Sequence, residues 1–198
     1  MSTYAKAETL VGAVAAPLGW ARSVMLVVAF SLLVALAAQV AVPLPFTPVP
    51  LTAQTFAVLL TGALLGSRLG ALALVLYLAE GASGLPFFHS GAGGPQYFVG
   101  PTAGYLFAFP FAAFVTGYLA ERGWDRRYLR AASAMALGSL VILAGGWAWL
   151  ALLTHSAAAA FASGVAPFLV GDIIKVALAA AALPAGWALL RSRGHGAG

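Results

Sequence analysis

The 198-residue chain has no cysteine and few charges: 5 Asp or Glu and 10 Lys or Arg, 8% in all. Without cysteine there can be no disulfide, Cys-based metal site, iron–sulfur cluster, thiol catalysis or prenylation. The shortage of charge excludes more. A soluble domain carries about 25% charged residues and about 45–50% apolar ones. Here 62% are hydrophobic, and the mean hydropathy is +0.97. So little charge cannot solvate a globular surface. An ordinary cytosolic enzyme, a nucleic-acid-binding domain and a disordered tail are ruled out. There is no Walker A glycine–lysine pattern, so the chain does not power itself with ATP. No His-Glu-x-x-His occurs, and the three histidines are scattered. Neither a metal site nor a catalytic set is expected.

What remains is an all-α integral membrane protein. The charge-free stretches are Ser23–Ser67, Leu69–Ala79, Gly81–Ala120, Ala131–Gly171 and Val176–Leu190. A spanning helix needs about 20 mostly apolar residues, so the longest stretches each hold a span plus a loop. Glycine and proline show where to divide them. Pro43–Pro50, with a proline at every second or third position, cannot be a regular helix. Pro86–Pro101 contains Gly91, Gly93, Gly94 and Gly100 and reads as a second loop. His155–Gly164 reads as a third.

Six spans are predicted within a single transmembrane domain over 1–198, at about 22–42, 51–67, 69–85, 101–120, 131–154 and 165–190. Segment 1–21 and tail 191–198 flank them. The second and third spans meet at the tight turn Gly66-Ser67-Arg68, and Leu183-Pro184 suggests a kink in the last. With both termini cytoplasmic, Lys6, Arg22, Arg68, Arg122, Arg126, Arg127, Arg130, Arg191 and Arg193 fall on one side, and the opposite loops hold no cation. This is a positive-inside pattern. The basic pI near 10.0 therefore records topology rather than nucleic-acid binding. The loop 121–130 also lies beside anionic headgroups of the membrane lipid. Arg22, the apolar run after it and Ala35-Leu36-Ala37 also resemble a signal peptide. That reading leaves five spans and takes away the explanation of the Lys/Arg asymmetry.

The tenth cation, Lys175, lies in the last span, three residues from Asp172 and on the same helix face. A charge at a helix centre costs at least about 2.5–3.5 kcal/mol, yet a chain poor in charge places two there. The pair is either a structural tie between helices or a polar ligand site: Asp accepts hydrogen bonds, and Lys binds a carbonyl or carboxylate. Glu80 reads as an acid at a wet helix end. The loop Gly91–Gly94 leads to Gly100-Pro101-Thr102-Ala103-Gly104-Tyr105, where a helix N-terminus can hold an anion or simply make a tight connection. Thr52 and Gln54 begin the second span, and Gln54 can bond a ligand or a neighbouring helix. Phe46, Phe87, Phe88, Tyr97, Phe98 and Tyr105 suit an interfacial belt or a cover over an apolar ligand. The small-residue pairs Ser31/Ala35 and Ala37/Ala41 suit close helix packing, within the chain or against a partner.

The sequence admits two rival readings. Gly81-Ala82-Ser83-Gly84 matches the Gly-x-Ser-Gly pattern of rhomboid intramembrane proteases, with His155 or His89 as the base. A dyad needs hydrogen-bond reach, and this reading leaves Asp172 and Lys175 unused. The second rival is a structural membrane subunit without a small ligand.

A resemblance discriminates among these readings. Val42-Pro43-Leu44-Pro45-Phe46-Thr47-Pro48-Val49-Pro50-Leu51-Thr52 with Gln54, Gly62-Ala63-Leu64-Leu65-Gly66-Ser67-Arg68-Leu69-Gly70, Gly84-Leu85-Pro86, Gly91–Gly94, Gly100–Tyr105 and Gly171-Asp172 with Lys175 resemble the BioY family over about 22–190. BioY proteins are the biotin-specific S-components of energy-coupling factor (ECF) transporters. The resemblance implies a six-helix S-component fold and a non-enzymatic, multi-pass subunit of the inner (cytoplasmic) membrane. It implies no cofactor, since biotin is the transported ligand, captured from outside in a pocket toward the outer half of the membrane. A transmembrane coupling protein and ATP-binding subunits are the implied partners. Asp172 and Lys175 would contribute to the biotin site, lined also by the glycine loop with Gly93 and Gly94 and by the start of the next span. Gln54 and Tyr105 can add hydrogen bonds. Pro45, Phe46, Thr47 and Pro48 would gate the pocket. Some members carry polar residues where this chain has Ala92 and Leu106, a departure that bears on how the biotin carboxylate is held.

Overall fold

In the computed structural model of the protein the described residues are 9–15 and 19–195. Lys6 and part of the segment 1–21 lie outside them, as do 196–198. The chain is helical nearly throughout. A short helix α1 (Leu10–Ala15) precedes α2 (Trp20–Gln39). Then come β1 (Ala41–Val42) and β2 (Leu51–Thr52), α3 (Gln54–Leu65), α4 (Ser67–Ala82) and α5 (Ala103–Glu121). The series ends with α6 (Tyr128–Thr154), α7 (Ala157–Gly164) and α8 (Leu169–His195).

Length and hydropathy make four segments able to cross a membrane: Trp20–Gln39, Ala103–Glu121, Tyr128–Thr154 and Ala157–Ser192. Their outward faces carry Leu32, Leu36, Leu140, Ile173 and Ile174, all exposed. Apolar residues turned outward on several long helices are what a bilayer requires. With 12 and 16 residues, α3 and α4 are shorter, about 18 and 24 Å at 1.5 Å per residue. They meet at Gly66, whose φ of 88° is a left-handed conformation that glycine adopts without steric cost. Glu121 locks that turn by accepting from Ser67 N at 2.7 Å and from its hydroxyl at 2.9 Å.

The centre of the bundle is α5. In its most apolar window 61% of residues are buried, against 22% for α2 and 28% for α6. Close approach makes this possible: a Cβ at Gly62 of α3 would run into the Ala113 carbonyl of α5. Ser31 and Ala35 are buried on the inner face of α2, whereas Ala41 lies in β1. The first small-residue pair therefore packs within the chain.

The proline-rich stretch holds no helix, as expected, and is the bend of a two-stranded antiparallel ladder pairing Ala41 with Thr52 and Val42 with Leu51. One expectation changes. The stretch after His155 is not a loop but α7, capped by Ser156, whose side chain accepts from Ala159 N. Alanine is the strongest helix former and serine a preferred N-cap, so local propensity outweighs the small, polar look of the segment. Pro184 does not interrupt α8.

At the end of the bundle opposite the prolines, α8 is latched to the α5–α6 connection. The Trp187 indole N–H donates to Asp125 Oδ2 at 2.5 Å, and the Arg126 guanidinium lies 4.5 Å from the Trp187 ring centre. Asp125 is only 1% exposed. Burial pushes its carboxyl up to about 6, against the opposing pull of the Trp187 hydrogen bond and Arg126. An unfolded Asp titrates near about 3.9, so the folded state holds its proton more tightly. The stability from this group is fully present below about pH 4 and is lost as pH rises through about 6. Asp125→Asn keeps the acceptor without the charge. Its melting temperature in detergent is expected to exceed wild type at pH 7.5, by the equivalent of about 2–3 kcal/mol, and to converge with it at pH 4. An unchanged pH profile in the variant would exonerate Asp125.

Candidate functional site

The three residues before α8, Ala166–Phe168, form a 3-10 turn that runs into Leu169, the first residue of α8. Asp172 therefore falls in the first turn of α8 and Lys175 in the next, nearer the proline end than the span 165–190 implied. Partial exposure lowers the burial cost: the side chains are 14% and 16% exposed. Lys175 Nζ lies 3.4 Å from Asp172 Oδ1. Two further hydroxyls complete the set. Ser139 of α6 donates to Asp172 Oδ2, and the Lys175 ammonium donates to Thr55 Oγ1 of α3 at 2.7 Å. The pair on α8 is thus held from two further helices, α3 and α6, which fixes both side chains facing one cavity.

That cavity lies under the proline loop. Val49, Pro50 and Thr52 line one side, Gln54 and Thr55 the α3 side, and Phe88, His89 and Tyr97 the loop side. Tyr105, Leu106 and Phe109 of α5, Ile142 and Leu143 of α6, and Phe168 close it, with Asp172 and Lys175 in the wall. Such a form, a few placed polar groups among apolar and aromatic walls, is that of a small-molecule binding site.

Gln54 and Tyr105 both reach the cavity, but each has a partner within the protein. Gln54 Nε2 donates to Tyr77 Oη at 2.7 Å, and Tyr77 donates on to the Phe87 carbonyl at 3.1 Å. Tyr105 donates to the Gly164 carbonyl at 2.6 Å. Gly93 and Gly94 lie outside the cavity lining. Gly94, at φ 106°, donates its N–H to the Gly81 carbonyl at 2.7 Å, and Gln96 bonds the Gly93 carbonyl. Their backbone role is to fold the loop onto α4 so that Phe88 turns inward. Phe88 is 1% exposed and meets Tyr77, Tyr97 and Phe98 at ring-centre distances of 5.7, 5.4 and 5.9 Å. Gln39, at the end of α2, clamps the same loop: its amide donates to the Pro86 and Phe88 carbonyls and accepts from Gly91 N. Gly100–Thr102 forms a turn, and α5 starts at Ala103, so Pro101 precedes the helix rather than opening it.

In the proline loop, Thr47 Oγ1 donates to the Ser163 carbonyl of α7 at 2.7 Å and accepts from Val49 N. This is its tether. Pro45 and Phe46 are exposed, Phe46 at 66%. Pro48 and Thr47 face a shallow vestibule shared with Pro43, Leu44, Pro50, His89 and Ser90.

Sequence reasoning missed Thr55, Ser139 and Tyr77. Ser83 donates to the Glu80 carbonyl of its own helix at 2.7 Å, and no histidine bonds it among the described residues. His155 ends α6 in a left-handed conformation, φ 51°. The protease dyad is not assembled. Glu80 is half-buried, with Oε2 shielded from solvent, so it is not simply an acid at a wet end.

A family model described as the BioY family matches residues 5–192. The chain is 43% identical over 159 residues to the probable biotin transporter BioY of Pyrococcus horikoshii, covering 80% of this chain and 92% of that one. With the biotin transporter BioY of Rhizobium etli it shares 37% identity over 183 residues, 87% and 98% of the two chains. With that of Thermotoga maritima it shares 40% over 151 residues, 76% and 87%. The crystal structure of the S-component for biotin from an ECF-type ABC transporter superposes with a TM-score of 0.75 at 23% identity, covering 87% of this chain and 91% of that one. It has the same fold. Shared fold, near full-length coverage and identity of this order together make the chain a member of the BioY family.

Proposed function

We propose that this chain is the biotin-capturing subunit of a vitamin uptake transporter: a multi-pass membrane protein that binds and does not catalyse. The observation that carries the reading is the Asp172–Lys175 pair, held by Ser139 and Thr55 in the wall of an otherwise apolar cavity. Biotin offers two ureido N–H donors and a carbonyl on one rigid ring system, and an apolar chain ending in a carboxylate. Asp172 accepts from an N–H, and Lys175 donates to an acceptor. The aromatic loop 86–98 and Phe168 cover ring and chain.

The finer topology is part of the proposal. The single domain has six spans, α3 and α4 being the short ones, and both termini face the cytoplasm. The short α3 is compatible with crossing because the β1–β2 hairpin stands on its end and carries the chain outward. The Lys/Arg asymmetry supports placing the proline loop outside and the basic loop inside. Biotin then enters from outside past Thr47 and Pro48. A coupling protein and ATP-binding subunits in the inner membrane supply the energy, since this chain has no nucleotide-binding pattern.

Calorimetric titration of the purified protein in detergent tests the binding. Saturable heat with biotin, and none with an unrelated short-chain carboxylate, is expected. A flat titration with biotin would overturn the reading.

A further inference from the structure

Biotin carries one negative charge, at the far end of its chain from the ureido ring. Of the residues lining the cavity, only Lys175 and His89 can carry a positive charge. Lys175 is already committed to Asp172 and Thr55. His89 is not. It is half-buried, and it lines both the cavity and the vestibule under the proline loop, so it stands where the two meet. Its ring packs edge-on against Tyr97 at 5.6 Å, and Ser90 next to it holds a left-handed φ of 59° that few side chains adopt. The position is thus fixed by its turn and by an aromatic neighbour.

We infer that His89 docks the carboxylate of the captured ligand at the cavity mouth, taking up a proton from solvent as the ligand enters. The inference rests on the biotin reading and deepens it. The groups facing His89 make the coupling simple. Its own turn contributes Ser90, the proline loop contributes Thr47 and prolines, and the next turn contributes Tyr97. Asp172 and Lys175, across the cavity, offset each other, and Tyr105 is bonded to Gly164. Burial lowers the pKa of His89 in the empty protein, so it is neutral near pH 7. A carboxylate beside it favours the charged form and raises the pKa in the complex. Linkage then requires biotin affinity to rise as pH falls through that raised pKa and to level off below the free one.

Biotin and biotinamide, whose chain end is uncharged, are titrated between pH 5.5 and 8 against wild type and His89→Gln. Each titration is run in two buffers of different ionisation enthalpy to count protons. Wild type is expected to prefer biotin roughly 10-fold near pH 6, the size of one charged hydrogen bond. That preference should fade toward pH 8, with proton uptake on binding biotin near pH 7 and none on binding the amide. His89→Gln should show no preference for biotin over the amide at any pH. An undiminished preference in His89→Gln, or equal and pH-independent binding of both ligands by wild type, would overturn the assignment while leaving biotin capture intact. Binding of neither ligand by wild type would remove both.

Discussion

Combining Asp172→Asn with Lys175→Met is expected to weaken biotin binding by at least about 100-fold while leaving the protein folded. A hydrogen bond to a charged group contributes about 1.5–3 kcal/mol. Two lost together amount to about 3–6 kcal/mol, and each 1.4 kcal/mol is a factor of ten. The single variants separate binding from folding. Lys175→Met leaves the Asp172 carboxylate with the Ser139 hydroxyl alone, and Asp172→Asn leaves the Lys175 ammonium with Thr55 and an amide. Breaking a buried pair from one side costs about 3–5 kcal/mol, whereas removing both charges is often close to neutral. Without ligand, each single variant should therefore melt below the double variant. Calorimetry gives the affinities and thermal unfolding in detergent gives the order. A double variant that binds biotin like wild type would show the pair to be a structural tie only.

Asp172 and Lys175 were legible because charge is scarce: in a chain with 8% charged residues, two inside a span stand out. Their partners were not. Ser139 lies 33 residues from Asp172, and Thr55 lies 120 from Lys175. A hydroxyl in an apolar helix commonly bonds a carbonyl one turn back, as Thr61 and Thr116 do here. Nothing local distinguishes Ser139 and Thr55 from those. Tyr77 is hidden in the same way, since only the fold brings it to Gln54. The proline run told correctly that no helix passes through 43–50, because a missing N–H is a local fact. The pairing of Ala41 with Thr52 that closes the run is not local, and so it was invisible. The family resemblance implied that Gly93 and Gly94 line the ligand site. In the fold they bond Gly81 and Gln96, and it is the neighbouring Phe88 that reaches the cavity.

Glycines in the spans posed the reverse problem, and Gly146 is the sharpest case. In a chain with 23 glycines one more carries no signal, yet a Cβ at 146 would stand inside the Tyr105 ring. Tyr105 occupies a slot between α6 and α7. Its ring lies over Gly146, its hydroxyl bonds the Gly164 carbonyl, and Phe168 sits 6.3 Å away across the cavity wall. Gly146→Val must push the ring out of that slot. Overpacking costs about 1–3 kcal/mol, and an orphaned buried carbonyl at Gly164 adds about 1–3 kcal/mol. Tyr105 also lines the cavity, so a displaced ring disturbs the site, and a lower melting temperature should come with biotin binding weakened at least about 10-fold, the equivalent of 1.4 kcal/mol. Gly100→Ala, where the nearest atom to a new Cβ is 3.7 Å away, serves as the control and should match wild type. The mechanism is checked by adding Tyr105→Ala to Gly146→Val. If the clash is the cause, the second substitution makes room, and the double variant melts well above the sum of the two single losses, a coupling that contacting residues show and distant ones do not. Strict additivity would mean that the α5–α6 interface yields some other way, and the slot would lose its role in holding the cavity wall.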